Sequence, residues 1–290
     1  MYVKSIFLLL AALVAAAPSG SPSRTEVDAA LYDELVRYAG YPLLSSDGNC
    51  SHPSIPGSIY KFVENKHTDT QVSIWRVDER QEFVVAIPGT NSVLDILHDL
   101  TIPLVPYFTL NVSCPDLCLV HLGFLDAWNS VARFVTQALG AALEAHPNYT
   151  VTLTGYSLGG AIASLAYGTL RNGPYNLTRA YTYGAPRAGN RGFARFLNDL
   201  NGNKDGNPGD FYRVTHGTDI VPTLPPIWFW YEHGGTEYWE SKPGMDNDAS
   251  SSYHCYGNEP VDCINSEPKH SFDDHNSYPG FNVTCSASSN

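Results

Sequence analysis

The sequence predicts an α/β fold: a central, mostly parallel sheet covered by helices and built as one domain. Three observations lead there. Residues 149–154 are β-branched and apolar, and they run directly into Gly155-Tyr156-Ser157-Leu158-Gly159 and then a small-residue helical pattern. Strand patterns alternate with helix patterns along most of the chain. No linker, composition break or internal repeat separates two cores.

In chain order, residues 25–38 read as a helix, with Thr25 and Asp28 at capping-box spacing and an apolar stripe of Val27, Leu31, Leu35 and Tyr38. Gly40 is its expected stop. Residues 71–78 alternate as a strand, Asp78-Glu79-Arg80 turns the chain, and residues 83–87 form a fully apolar strand, which together suggest an antiparallel hairpin. Residues 93–100 have helical spacing and are mostly apolar, and residues 102–108 are apolar but broken by prolines. A long amphipathic helix spans 124–144 and stops at His146-Pro147-Asn148. The Ser157 strand and helix follow, ending at Asn172-Gly173-Pro174. Residues 179–183 read as a strand, Phe193, Phe196, Leu197 and Leu200 mark a helix, and 211–215 and 236–239 read as further strands.

Composition narrows the function classes. The 290 residues are 43% hydrophobic and 16% charged, enough for a sizeable core, and the formal net charge is −12. Such an acidic chain is a poor partner for nucleic acid or anionic membranes and suits an uncharged substrate. Lys4, the apolar run 6–14 and Ala15-Ala16-Ala17 have the layout of a secretory signal over residues 1–17. That run is too short to span a membrane. Residues 18–24 then form a short extension, and 25–290 the folded domain.

Secretion decides the cysteine reading. Cys50, Cys114, Cys118, Cys255, Cys263 and Cys285 are even in number, and an oxidising compartment favours disulfides. Proximity pairs Cys114 with Cys118 and Cys255 with Cys263, leaving Cys50 and Cys285 to tie the chain ends. A zinc site lacks the paired C-x₂-C spacing. Sequons at Asn49, Asn111, Asn148, Asn176 and Asn282 fit an extracellular surface. The run 201–206 imitates the start of a calcium loop, but its twelfth position is Tyr212, not an acid, so a polar turn is the reading.

Gly-x-Ser-x-Gly between a strand and a helix is the setting of a nucleophilic serine. The glycines remove side chains that would collide across so sharp a turn, and the helix N-terminus favours developing negative charge. The serine needs a base, and the base an orienting acid. Asp219 follows the 211–215 strand at the place such an acid leaves a sheet. The base must lie beyond it, at His233, His254, His270 or His275, with His275 in the C-terminal loop favoured by position. His216, His98 and His121 read as structural.

Several pieces together resemble the class 3 fungal lipase family and its feruloyl esterase relatives, over about residues 25–285. They are Gly89-Thr90, Val120-His121-Leu122-Gly123-Phe124, the Ser157 turn, Tyr183-Gly184-Ala185-Pro186-Arg187-Ala188-Gly189-Asn190, Arg213-Val214-Thr215-His216 with Asp219-Ile220-Val221-Pro222, and His233-Gly234-Gly235-Thr236-Glu237-Tyr238-Trp239. The resemblance implies Ser157 as nucleophile, Asp219 as acid, His275 as base, and Thr90 with the Leu158 N–H as oxyanion hole. It implies the same disulfide pairing. It puts residues 93–100 at the family's lid helix, with 102–108 and 227–231 as possible extensions of an acyl-binding surface. Two departures stand out: Tyr156 where the family usually has histidine, and Pro88 where it usually has arginine. The expected activity is cofactor- and metal-free hydrolysis of an ester, foremost an acylglycerol at a lipid interface, by a secreted monomer. The competing readings are a feruloyl-type esterase and a catalytically inactive binding protein on the same fold.

Overall fold

The computed structural model describes residues 24–46, 48–90, 103–115, 117–204 and 207–286. The proposed signal and most of the short extension, and the lid-like stretch 93–100, lie outside the described residues.

The N-terminal half holds strands β1 (Arg24–Glu26), β2 (His52–Pro53), β3 (Ser58–Asn65), β4 (Thr70–Val77), β5 (Glu82–Ile87), β6 (Leu104–Pro106) and β7 (Leu119–His121). β8 (Thr150–Tyr156), β9 (Leu177–Tyr183), β10 (Gly189–Asn190) and β11 (Phe211–His216) follow, then β12 (Tyr231–Glu232), β13 (Thr236–Glu240), β14 (Ser252–Cys255) and β15 (Cys285–Ser286). The longer helices are α1 (Ala29–Leu43), α2 (Leu122–Ala145), α3 (Leu158–Arg171) and α4 (Arg191–Asn201).

Nine strands form one sheet in the order β1-β14-β13-β11-β9-β8-β5-β4-β3. β5, β8, β9, β11 and β13 run parallel through its centre, and the edges are antiparallel. The β4–β5 hairpin predicted from the 71–87 pattern is present. A smaller sheet, β12-β10-β7-β6, borders the large one. One apolar cluster packs α2, α3 and α4 against one face of the large sheet. The other face buries an aromatic layer under α1, with Tyr38, Tyr41, Tyr181, Tyr183, Tyr238 and Tyr278.

Two details correct the sequence reading of the N-terminal region. Residues 24–26 are a strand, paired with β14, and α1 begins only at Ala29, where Asp28 caps it by accepting from the Leu31 N–H at 2.8 Å. Gly40 does not stop α1, which runs on to Leu43. A Cβ at Gly40 would meet Val283 Cγ1 at 2.7 Å, so the glycine serves close packing of the C-terminal segment. The long central helix runs one turn-fraction further than expected at each end, 122–145, with the His121 side chain as its N-cap.

Three disulfides join Cys50 to Cys285, Cys114 to Cys118 and Cys255 to Cys263. The first closes β2 onto β15 across 235 residues. All five sequon asparagines are exposed. Among the described residues, no helix is long and apolar enough to cross a membrane.

Candidate active site

β8 lies at the centre of the sheet, between β5 and β9, and is buried from Val151 to Tyr156. It delivers Ser157 to the carboxyl end of the parallel strands, where open α/β sheets place their ligands. Ser157 is itself buried and has φ 54° and ψ −123°, a conformation that L residues rarely adopt. Its N–H donates to the Tyr183 carbonyl at 2.8 Å, which fixes the turn to β9. The flanking glycines are required by close approach. A Cβ on Gly155 would lie 2.3 Å from the Gly159 carbonyl oxygen, and one on Gly159 would lie 2.2 Å from the carbonyl oxygens of Ile87 and Pro88. The strain at Ser157 is therefore held by backbone packed on both sides.

Asp219 follows β11, and its N–H donates to the His216 carbonyl at 2.9 Å. The C-terminal segment is drawn beside it by a short ladder: Ser271 N–H donates to Thr218, and Ile220 N–H to Ser271. Three residues beyond lies the 3₁₀ turn Asp274–Asn276, which carries His275. His275 Nδ1 donates to Asp219 Oδ2 at 2.8 Å, and its Nε2 faces Ser157 Oγ at 2.9 Å. A carboxylate only accepts, so the proton sits on Nδ1 and Nε2 is left to accept from the serine hydroxyl. All three side chains are buried.

The rival histidines lie elsewhere. His233 Nε2 donates to the Pro222 carbonyl at 2.8 Å, and burial holds this ring neutral, well below its ordinary pKa. His254 sits in β14, stacked on Tyr238. His270 lines a surface cavity with Trp228. His216 Nδ1 donates to the Asp274 carbonyl at 2.8 Å, a structural link that braces the His275 turn. His121 caps α2 by accepting from Phe124 N–H at 3.4 Å.

Leu158 follows Ser157 directly, and Thr90 and Leu158 line one cavity. Leu158 is the first residue of α3, so its N–H has no helical carbonyl behind it and points where negative charge is favoured. Gly89 packs close enough that a Cβ there would lie 3.1 Å from Ser157 Cβ, which puts the Thr90 loop directly over the elbow. A cavity of about 430 Å³ opens beside it, lined by Pro88, Gly89, Thr90, Tyr156, Phe272 and His275. A second, of about 380 Å³, lies between Thr90, Leu158 and Ile162.

Further side chains complete the surroundings of Ser157, Asp219 and His275, some of them, like Tyr278, without a role assigned from the sequence. Tyr278 is fully buried and donates its hydroxyl to Asp219 Oδ2 at 2.7 Å, while Val221 N–H donates to Oδ1 at 2.9 Å. Burial, followed by the nearby Asp219 charge, keeps the Tyr278 phenol well above its ordinary pKa, so it remains a neutral donor. Tyr156, the departure at the elbow, donates to the His275 carbonyl at 2.9 Å and lies with its ring 5.0 Å from the imidazole. Gly184, at φ +58°, clears space for the imidazole: a Cβ there would be 2.9 Å from Asp219 Oδ2 and from His275 Cε1. Asp274 accepts from the Thr218 N–H and hydroxyl, both at 2.8 Å. Burial raises its carboxyl, but these bonds prevail and hold it below the ordinary range. A buried tyrosine beside a carboxylate is a reasonable search rule, yet these partners are far apart in sequence.

Comparison with known proteins places this geometry in context. The sequence pattern of the family described as lipase (class 3) matches residues 84–229. Secreted mono- and diacylglycerol lipase 1 of Fusarium solani is 35% identical over 229 residues, 77% of this chain and 63% of that protein. Secreted mono- and diacylglycerol lipase A of Penicillium cyclopium is 32% identical over 212 residues, 72% of this chain and 65% of that protein. The match thus spans less than two thirds of the length of either relative. Among solved structures, lipase II from Rhizopus niveus aligns with a TM-score of 0.74 at 28% identity, covering 89% of this chain and 97% of that one.

Proposed function

The chain belongs to the class 3 lipase family, and from that premise we propose that it is a secreted carboxylester hydrolase acting on acylglycerols through Ser157, His275 and Asp219. The observation that carries the reading is His275, bonded to Asp219 on one nitrogen and to Ser157 on the other, both within 2.9 Å.

The chemistry follows from that chain of bonds. His275 Nε2 takes the hydroxyl proton as Ser157 Oγ attacks the ester carbonyl. Asp219 stabilises the imidazolium that forms and keeps its tautomer. The tetrahedral oxyanion is held by the N–H groups of Thr90 and Leu158, where losing one donor typically costs roughly 3–4 kcal/mol of transition-state stabilisation. His275 then returns the proton to the departing alcohol. A water, deprotonated by the same imidazole, attacks the acyl-enzyme, and His275 returns that proton to Ser157 Oγ as the bond to the acid breaks. Every step is proton transfer or acyl transfer among the ester, water and side chains of this protein, so the scheme calls on no metal or cofactor.

Acylglycerols are preferred to cell-wall esters because the curated relatives are named for mono- and diacylglycerol. Secretion is supported by the signal-like N-terminus, the three disulfides and the exposed sequons. All the proposed catalytic groups come from one chain, which fits action as a monomer.

Initial rates on mono-, di- and triacylglycerol emulsions, set beside methyl ferulate, test the substrate assignment. Fatty acid release that disappears in Ser157→Ala is the expected result. Ferulate release without fatty acid release overturns it in favour of the esterase reading.

A further inference from the structure

Three of the buried side-chain atoms that lack a hydrogen-bond partner fall on one pair of neighbours: His216 Nε2 and the two carboxyl oxygens of Glu240. The two residues are 0% and 1% exposed. They stand opposite each other at the carboxyl ends of parallel β11 and β13. Val214 and Tyr238, aligned two positions earlier, enter the apolar cluster under α1, so His216 and Glu240 point to that same face. Neighbouring strands lie about 4.8 Å apart, a gap that a glutamate side chain spans. The triad chemistry uses neither residue, and a buried carboxyl without a partner is costly to keep.

The two deficits match. His216 Nδ1 bonds the Asp274 carbonyl at 2.8 Å, and a carbonyl only accepts, so the proton is on Nδ1 and Nε2 presents a lone pair that needs a donor. Glu240 has no cation to hold a charge. Burial alone raises its carboxyl well above the ordinary range, which leaves an acid O–H that needs an acceptor. The other titratable groups facing Glu240 are Tyr32 of α1, Tyr183 of β9 and Tyr278 of the C-terminal segment, and their phenols are raised chiefly by burial. Their hydroxyls already donate to the Asn247 carbonyl, the Leu35 carbonyl and Asp219. The Asp274 carboxylate faces His216, but it is bonded by the Thr218 N–H and hydroxyl and by the Gly244 N–H.

We propose that Glu240 is a buried carboxylic acid that donates a hydrogen bond to His216 Nε2, and that this pair positions the catalytic base. The path to the base is short. A donor at Nε2 fixes the His216 tautomer with its proton on Nδ1, the form that can bond the Asp274 carbonyl. Asp274 immediately precedes His275 in the same 3₁₀ turn. The tautomer therefore holds the turn that presents His275 to Ser157. Neither residue touches the reacting atoms, so both are positioning residues. Their role rests on the proposed ester hydrolysis only for the identity of the base.

Steady-state kinetics on a soluble ester and thermal unfolding, each followed from neutral to alkaline pH, test the pair. Glu240→Gln keeps a neutral donor and is expected to hold kcat within about twofold of the parent. A raised folded pKa means that the parent loses stability as pH climbs from the ordinary glutamate value through the folded one. Glu240→Gln cannot ionise, so its Tm should exceed the parent's by a margin that widens with pH. Glu240→Leu leaves Nε2 without a donor and is expected to lower kcat roughly threefold to tenfold with KM nearly unchanged. At neutral pH the infrared carbonyl band of a buried carboxylic acid, present in the parent and missing in Glu240→Gln, reports the proton directly, even if Glu240→Leu fails to fold. Absence of that band overturns the proposal, as does equal kcat in Glu240→Leu and Glu240→Gln. A parent without turnover would count against the hydrolase reading alone, since the band and the Tm profiles do not depend on it.

Discussion

At the scale of single residues, the site is a set of strained or buried groups, each held by a specific neighbour. Ser157 keeps its positive φ because Gly155 and Gly159 let backbone pack against it. Asp219 accepts from three donors: Val221 N–H, His275 Nδ1–H and the Tyr278 hydroxyl. Tyr278 acts through Asp219, so it is a positioning residue. A hydrogen bond to a charged group is worth about 1.5–3 kcal/mol, which corresponds to roughly a tenfold to hundredfold effect. Tyr278→Phe should lower kcat within that range and leave KM nearly unchanged. Steady-state kinetics on a soluble ester checks the split, and a KM rise with kcat intact would show that Tyr278 shapes the pocket instead. The elbow was legible in sequence because its strand, turn and helix are contiguous. Tyr278 was not, because Asp219, which its hydroxyl bonds, lies 59 residues away.

At the scale of elements, the helices show which local signals were readable. The capping-box spacing of Thr25 and Asp28 marks the right neighbourhood but the wrong cap: Thr25 lies in β1, and Asp28 itself is the N-cap of α1. β3 had no clear strand pattern, because a register shift between Ile59 and Lys61 breaks its alternation. The N-cap of α2 is unusual: His121 accepts from Phe124 N–H only while neutral, and burial lowers its pKa to about 4. The sign of the linkage follows. Above the unfolded value near 6.5 the stabilisation is complete, and it is lost as pH falls toward 4, because the unfolded chain takes up the proton first. A shift of that size is worth about 3 kcal/mol. Denaturant unfolding from pH 7 to pH 4 should therefore show His121→Asn, which keeps a capping oxygen, losing less stability on acidification than the parent. Parallel pH profiles for the two proteins would remove His121 from the account.

At the scale of the whole molecule, one sheet arranges the chemistry. Parallel β5, β8, β9 and β11 bring the Thr90 loop, Ser157, Gly184 and Asp219 to one edge. This much was legible, since alternating strand and helix patterns allow few other folds. Spacing alone does not single out the proposed base. Four histidines follow Asp219, and His275 reaches Ser157 only because the C-terminal segment returns along Thr218 and Ile220. The Cys50–Cys285 disulfide then ties that segment to the N-terminal region. Closing so long a loop removes about 5 kcal/mol of unfolded-chain entropy in the chain-entropy view, which stabilises the whole fold.

Active-site labelling shows whether these distant segments make Ser157 a nucleophile. The protein is treated with a fluorophosphonate and the adduct located by peptide mass spectrometry. A single adduct on Ser157 is expected, formed at least about a thousandfold more slowly in His275→Ala. Absence of an adduct, or an adduct on another serine with Ser157 unmodified, would contradict it.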